Sequence, residues 1–215
     1  PGQQPEMLFI DRGLAMPRRH MASKRRRRLG RQCPRLHRPL DIALAIHRVS
    51  PCYRQDGSSV LSCQYSGNWT ARSALTAATT KGGYYGIFAN NSGNGALSIT
   101  TTGITTGGTT KDGIHAFLSN TASTGDLTIN AATTTGGRYG IKADNNGTGA
   151  LSITTSGTTT GGTGGDGIYA NNSSAGTSLT INAATTTGGN DGIDADNEGS
   201  GALTITTTGT TTGGT

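Results

Sequence analysis

Residues 164–189 read GGDGIYANNSSAGTSLTINAATTTGG, and the order of residue types in that stretch decides the fold. Ile168-x-Ala170 and Leu179-x-Ile181 each set apolar side chains two residues apart with a polar or aromatic residue between them. Period two marks a strand with one face buried. The run Thr185–Thr187 also favours extended chain, because a β-branched side chain packs well on a pleated surface and poorly in a helix. Asn-Asn and Gly-Gly separate these segments, and both accept the backbone angles of tight turns.

The same text recurs on either side. Gly-Ile pairs stand at Gly86-Ile87, Gly113-Ile114, Gly140-Ile141, Gly167-Ile168 and Gly192-Ile193, spaced by 27, 27, 27 and 25 residues. Between them lie Leu97/Ile99, Leu127/Ile129, Leu151/Ile153, Leu179/Ile181 and Leu203/Ile205. Leu97, Leu151 and Leu203 belong to GALSITT or GALTITT, whereas Leu127 and Leu179 open LTINAATTTGG; a two-unit block has been duplicated. Leu75–Gly83, LTAATTKGG, reads as the tail of one more unit shortened by two residues, so the array is expected to begin near Ser73.

One unit of about 27 residues holds too few aliphatic side chains to offset the entropy of ordering it, so units must stack. The prediction is an all-β fold: a parallel β-helix, or solenoid, of about five coils over residues 73–215. Ile87, Ile114, Ile141, Ile168 and Ile193 form one inward column, Leu97 to Leu203 a second, and Ile99 to Ile205 a third. Phe88, His115, Lys142, Tyr169 and Asp194 are predicted to point outward as a row whose chemistry changes in every unit, as an elongated structural or binding surface tolerates. A disordered Gly/Thr/Ser linker gives no reason to keep aliphatic residues in register through five units.

Composition separates this array from what precedes it. Of 215 residues 35 are glycine and only 32% are hydrophobic, too little for a conventional globular core. Residues 1–72 hold 14 basic and 4 acidic residues, all six prolines, all three cysteines and Trp69; residues 73–215 hold 4 basic and 8 acidic residues. The net charge of +6 therefore averages +10 with −4 and does not make the array a nucleic-acid binder. Residues 1–72 read as a basic Arg/Pro-rich leader, mostly disordered or from a shifted reading frame. Lys24–Arg28 is expected to be a solvated run, and Cys33, Cys52 and Cys63 with His20, His37 and His47 lack the spacing of a zinc site.

The stretch 164–189, with Gly165, Asp166, Gly167, Ile168, Leu179 and Ile181 as fixed points, resembles the repeats of Gram-negative autotransporter passenger regions. Similar repeats occur in filamentous haemagglutinin-like adhesins. The resemblance covers residues 73–215 and implies a parallel β-helix stalk, export through the outer membrane by a C-terminal barrel that this chain does not include, and display on the cell surface or secretion. The chain, which begins at Pro1, is then expected to be a fragment acting as adhesin or adhesin stalk, with host-cell, matrix or neighbouring bacterial surfaces as partners, no nucleic acid and no cofactor.

Other chemistry fits the residues less well. Gly161–Tyr169, GGTGGDGIY, matches a calcium β-roll nonapeptide, but successive turns must share the ion and no second copy exists, so no metal site is expected. Thr100–Thr102, Thr133–Thr135, Thr158–Thr160 and Thr185–Thr187 could stack as a flat ladder of the ice-binding kind; the plainer reading is surface strand. Asp112, Asp166 and Asp191 precede Gly-Ile pairs, and Asp194, Asp196 and Glu198 cluster in the last unit. These acids are expected to cap turns and solubilise coils, so no catalytic residue and no enzyme activity is predicted.

Overall fold

A computed structural model of the chain describes residues 61–65, as backbone, and 72–214. The expected disorder or altered frame of residues 1–60 and 66–71, the Lys24–Arg28 run, Cys33, Cys52, His20, His37 and His47 lie outside the described residues, whereas Cys63 falls in the strand Leu61–Tyr65. The array itself is a solenoid of three parallel sheets, each of six strands, with every strand hydrogen-bonded to its equivalents in the coils before and after. The first sheet comprises Leu61–Tyr65, Ile87–Asn91, Ile114–Leu118, Ile141–Asn145, Ile168–Asn172 and Ile193–Asn197. The second comprises Ser73–Ala77, Leu97–Thr101, Leu127–Ala131, Leu151–Thr155, Leu179–Ala183 and Leu203–Thr207. Short threonine strands from Thr80–Lys81 to Thr211–Thr212 make the third. Coils one to five start at Ile87, Ile114, Ile141, Ile168 and Ile193, after a leading coil.

Side chains fall where period two requires. Strand Ile141–Asn145 alternates buried and half-buried positions, and its residues pair with their counterparts in the coils on either side: Ile141 with Ile114 and Ile168, Ala143 with Ala116 and Ala170. Leu151 pairs with Leu127 and Leu179, and Ile153 with Ile129 and Ile181. All three predicted columns are present through coil four, whereas in coil five Leu203 and Ile205 are each 45% exposed, with no further described strand stacked on them. Through coils one to four their isoleucines and leucines are fully buried, giving the glycine-rich chain a continuous apolar axis.

The leading coil differs from the sequence reading in two places. Ser73 pairs with Leu97 and Leu75 with Ile99, so SALTAATTKGG has the full length of LTINAATTTGG, with serine in the leucine position. Nothing is shortened. The strand Leu61–Tyr65 also pairs in register with Ile87–Asn91, which starts the first sheet twelve residues before Ser73.

Each threonine run contributes one inward residue. Thr105, Thr134, Thr159 and Thr186 are fully buried and stack in the third sheet. Their inward placement explains the glycine before Ile87, Ile114, Ile141 and Ile193, where an added Cβ would meet a threonine methyl. A Cβ on Gly140 would lie 2.7 Å from the Thr159 methyl and 2.5 Å from the Gly167 carbonyl oxygen, so only glycine fits. Among the described residues the buried hydroxyls of Thr80, Thr105, Thr134 and Thr159 have no hydrogen-bond partner. An unpaired buried polar group costs about 1–3 kcal/mol, so Thr159→Val is expected to raise stability by about 1 kcal/mol. Urea unfolding followed by far-UV circular dichroism checks this; a lower midpoint would show that the hydroxyl is satisfied.

Asparagine ends the first-sheet strand. The Oδ1 atoms of Asn91 and Asn145 accept from the backbone N–H two residues on, Gly93 and Gly147, which turns the chain toward the second sheet. Inside, Asn145 Nδ2 donates to Asn172 Oδ1 at 2.8 Å, and Asn172 Nδ2 to Asn197 Oδ1 at 2.7 Å. Leu118 interrupts this ladder in coil two, and the turn following it is eight residues long against five or six in coils one, three, four and five. Ser123 folds back there, fully buried, and its hydroxyl donates to the Gly95 carbonyl.

Candidate binding face

The outward row predicted from the sequence exists. Phe88, His115, Lys142, Tyr169 and Asp194 pair in successive strands of the first sheet. A second outward row, two residues further along each strand, runs Asn90, Phe117, Asp144, Asn171 and Asp196.

The turns entering this sheet complete the face. The turn from third sheet to first is five residues long before Ile87, Ile141 and Ile193, and seven before Ile114 and Ile168. The short turns carry Tyr84-Tyr85, Arg138-Tyr139 and Asn190-Asp191 next to the outward row; the long ones carry Lys111-Asp112 and, beside Gly164 with its φ of 72°, Gly165-Asp166. As a result all six aromatic residues of the array (Tyr84, Tyr85, Phe88, Phe117, Tyr139 and Tyr169) lie on the first sheet or in the turn entering it. Three of its four cations, Lys111, Arg138 and Lys142, lie there too.

These groups touch across coils. The Tyr85 ring centroid is 5.2 Å from Phe88 and 5.3 Å from His115, and Tyr139 is 5.3 Å from Tyr169. Each cation stands over a ring: Lys111 Nζ is 4.8 Å from the Tyr84 centroid, the Arg138 guanidinium 4.5 Å from Tyr139, and Lys142 Nζ 5.5 Å from Tyr169. Such contacts are worth about 0.5–1 kcal/mol at exposed sites and order long side chains at small cost. His115 Nδ1 donates to Asp112 Oδ2 at 2.9 Å, and Lys142 Nζ pairs with Asp144 Oδ2 at 3.3 Å. Tyr84 remains 52% exposed, an open aromatic surface at one end of the tract.

Charge changes sign along the axis. Coils one to three present aromatic rings and cations, whereas coil five presents Asp191, Asp194, Asp196 and Glu198. Desolvation against the strand, and then the carboxylates of Asp166, Asp191 and Asp196, hold the Asp194 carboxyl above its ordinary pKa.

The acids before the Gly-Ile pairs serve the turns, as the sequence suggested. Asp112 and Asp166 are both 3% exposed. Asp112 Oδ1 accepts from the Tyr139 backbone N–H, and Asp166 Oδ1 from the backbone N–H of Asp191 and from Asn190 Nδ2. Each carboxylate thus fastens its own coil to the next one. Among the described residues no group of three or more His, Cys, Asp and Glu side chains is placed to hold a metal ion. The threonine ladder of the third sheet has its middle row buried, and Thr106, Thr135, Thr160 and Thr187 face outward beside it; Thr100 and Thr101 belong to the second-sheet strand Leu97–Thr101, and Thr105–Thr106 stand in the ladder in their place.

Sequence reasoning named one row of this face and missed the rest. The missing signal was positional: the two residues before each Gly-Ile pair lie beside the outward row, and that is where Tyr84, Tyr85, Lys111, Arg138 and Tyr139 occur. Comparison with known proteins adds no neighbour: no family model matches the chain, and neither curated proteins nor solved structures give a significant match.

Proposed function

We propose that the chain is a fragment of a cell-surface passenger of the autotransporter type, acting as an adhesin or as the stalk of one. In this reading it is displayed at, or secreted from, the surface of a Gram-negative bacterium, held through an outer-membrane barrel outside these residues. Its partners are host-cell, matrix or neighbouring bacterial surfaces, and its work is contact rather than catalysis. The observation that carries the reading is the gathering of every aromatic residue of the array on one face of a stacked, elongated scaffold. Aromatic residues and Arg dominate binding energy where proteins meet partners. Asp112 and Asp166, in the turns entering that face, are engaged in hydrogen bonds between coils, and Asp144 on the face pairs with Lys142, which supports a binding role over a hydrolytic one.

Display on a non-adherent bacterium tests it. Cells carrying residues 61–215 between an export signal and a barrel are expected to adhere to epithelial cells or matrix. A Tyr139→Ala/Tyr169→Ala double variant, displayed equally, is expected to lose most of that adhesion. Equal adhesion by both means that another face makes the contact, and adhesion by neither removes the adhesin reading and leaves the array a stalk.

A further inference from the structure

The first-sheet face has features that select among ligand chemistries. Its rings and cations follow the solenoid axis from Tyr84 in coil one to Tyr169 in coil four. Successive coils advance by about 4.8 Å, close to the length of one pyranose ring, so a sugar chain laid along the axis would stay in step with the coils. Exposed tyrosine offers an apolar ring that suits the C–H face of a sugar, with a hydroxyl at its tip for the sugar's own hydroxyls. His115, Asn90, Asn171 and Asp144, on the same rows, add donors and acceptors at intervals. Lys111, in the turn before Ile114, and Arg138 and Lys142, both beside Ile141, add positive charge at two successive coils.

Resting on the reading of this face as an adhesive surface, we propose that its ligand is an acidic polysaccharide, a chain of carboxylate-bearing sugars lying along the axis over coils one to four. Carboxylates meet Lys111, Arg138 and Lys142 while the sugar rings stack on Tyr84, Tyr85, Tyr139 and Tyr169. Single-stranded nucleic acid suits the face less well. A sugar's hydroxyls can donate to Asp144 within the tract, whereas a phosphodiester backbone has only acceptors to set against that carboxylate. The acidic coil five sets the end of the site, because Asp191, Asp194, Asp196 and Glu198 repel a carboxylated chain.

Isothermal titration of the full chain with alginate hexamer, its carboxyl-reduced neutral counterpart, an oligothymidylate and phosphatidylserine vesicles tests the proposal. The basic residues 1–72 attract any anion, so the variants carry the decision. Tyr139→Ala/Tyr169→Ala and Lys111→Gln/Lys142→Gln should each weaken alginate binding by about tenfold or more, whereas Lys81→Gln, which removes a cation from the third sheet, should leave it unchanged. Asp194→Asn/Asp196→Asn should strengthen it. The neutral hexamer should bind more weakly than alginate. All substitutions are at the surface, and unchanged circular dichroism and melting temperature confirm the fold. The proposal is overturned by no alginate binding, by equal effects of the Lys81 and Lys111/Lys142 variants, or by tighter, tyrosine-dependent binding of oligothymidylate or vesicles. Adhesion of displayed cells without alginate binding overturns the ligand alone; alginate binding without adhesion upholds the ligand and overturns the adhesin.

Discussion

Ile141→Asp is expected to unfold the array, while Lys142→Asp, one residue on, leaves it folded. Ile141 is fully buried and pairs with Ile114 and Ile168; Lys142 lies outside, between His115 and Tyr169. Removing the isoleucine forfeits about 1.5–3 kcal/mol of burial, and placing a polar group there without partners costs about 2–7 kcal/mol more. Together these approach or exceed the roughly 5–15 kcal/mol that holds a typical domain folded.

Topology makes the loss global. A solenoid coil is stabilised by its two neighbours, and coil three lies inside the stack, with two numbered coils and the leading coil before it and two coils after it. Disrupting it separates coils one and two from coils four and five, leaving short stacks with new open edges. Far-UV circular dichroism and urea titration of both variants provide the check. A cooperative transition of wild-type midpoint in Ile141→Asp would refute the inward column. Lys142→Asp is expected to keep the wild-type midpoint within about 0.5 kcal/mol, the usual range for surface changes, while weakening any acidic-ligand binding.

That contrast between neighbours was legible in the sequence, because period two assigns Ile141 inward and Lys142 outward without knowledge of any partner strand. The stacking was legible too, since only coil-over-coil pairing brings residues 27 apart into one column. Ser73 was harder. A polar residue in the leucine position hid the start of the second sheet, and LTAATTKGG invited alignment on its leucine, two residues out of register. Leu61–Tyr65 pairs with Ile87–Asn91 although it lacks the Gly-Ile signal on which the repeat was recognised. The binding face was half legible. Strand parity gave Phe88 to Asp194, but the turn residues beside them have no period of their own, because the entering turn alternates between five and seven residues.

The alternation in turn length also separates glycines needed for space from those needed for backbone angle, and Gly136→Ala should be far more damaging than Gly164→Ala. A Cβ on Gly136 would fall 1.8 Å from the Tyr139 carbonyl oxygen and 2.6 Å from the Gly113 nitrogen. Those two atoms are themselves bonded, Gly113 N–H donating to Tyr139 O at 2.9 Å, so neither can retreat without breaking a contact between coils two and three. Overpacking typically costs about 1–3 kcal/mol and a lost hydrogen bond about 1 kcal/mol, giving roughly 2–4 kcal/mol. Gly164 is different: its φ is 72°, yet nothing lies within 4 Å of where a Cβ would project. Alanine there meets only the left-handed backbone penalty, about 1–2 kcal/mol, and Gly164→Asn should cost less still. The functional readout should follow the same order. Gly136 sits two residues before Arg138 and three before Tyr139, so its substitution displaces a cation and a ring from the centre of the face, whereas Gly164 lies in the turn before Tyr169 and its substitution disturbs only that end. Paired measurements of midpoint and alginate affinity for Gly136→Ala and Gly164→Ala therefore test fold and face together. Equal losses in the two variants would mean that the five-residue turn is not held between its neighbours as described.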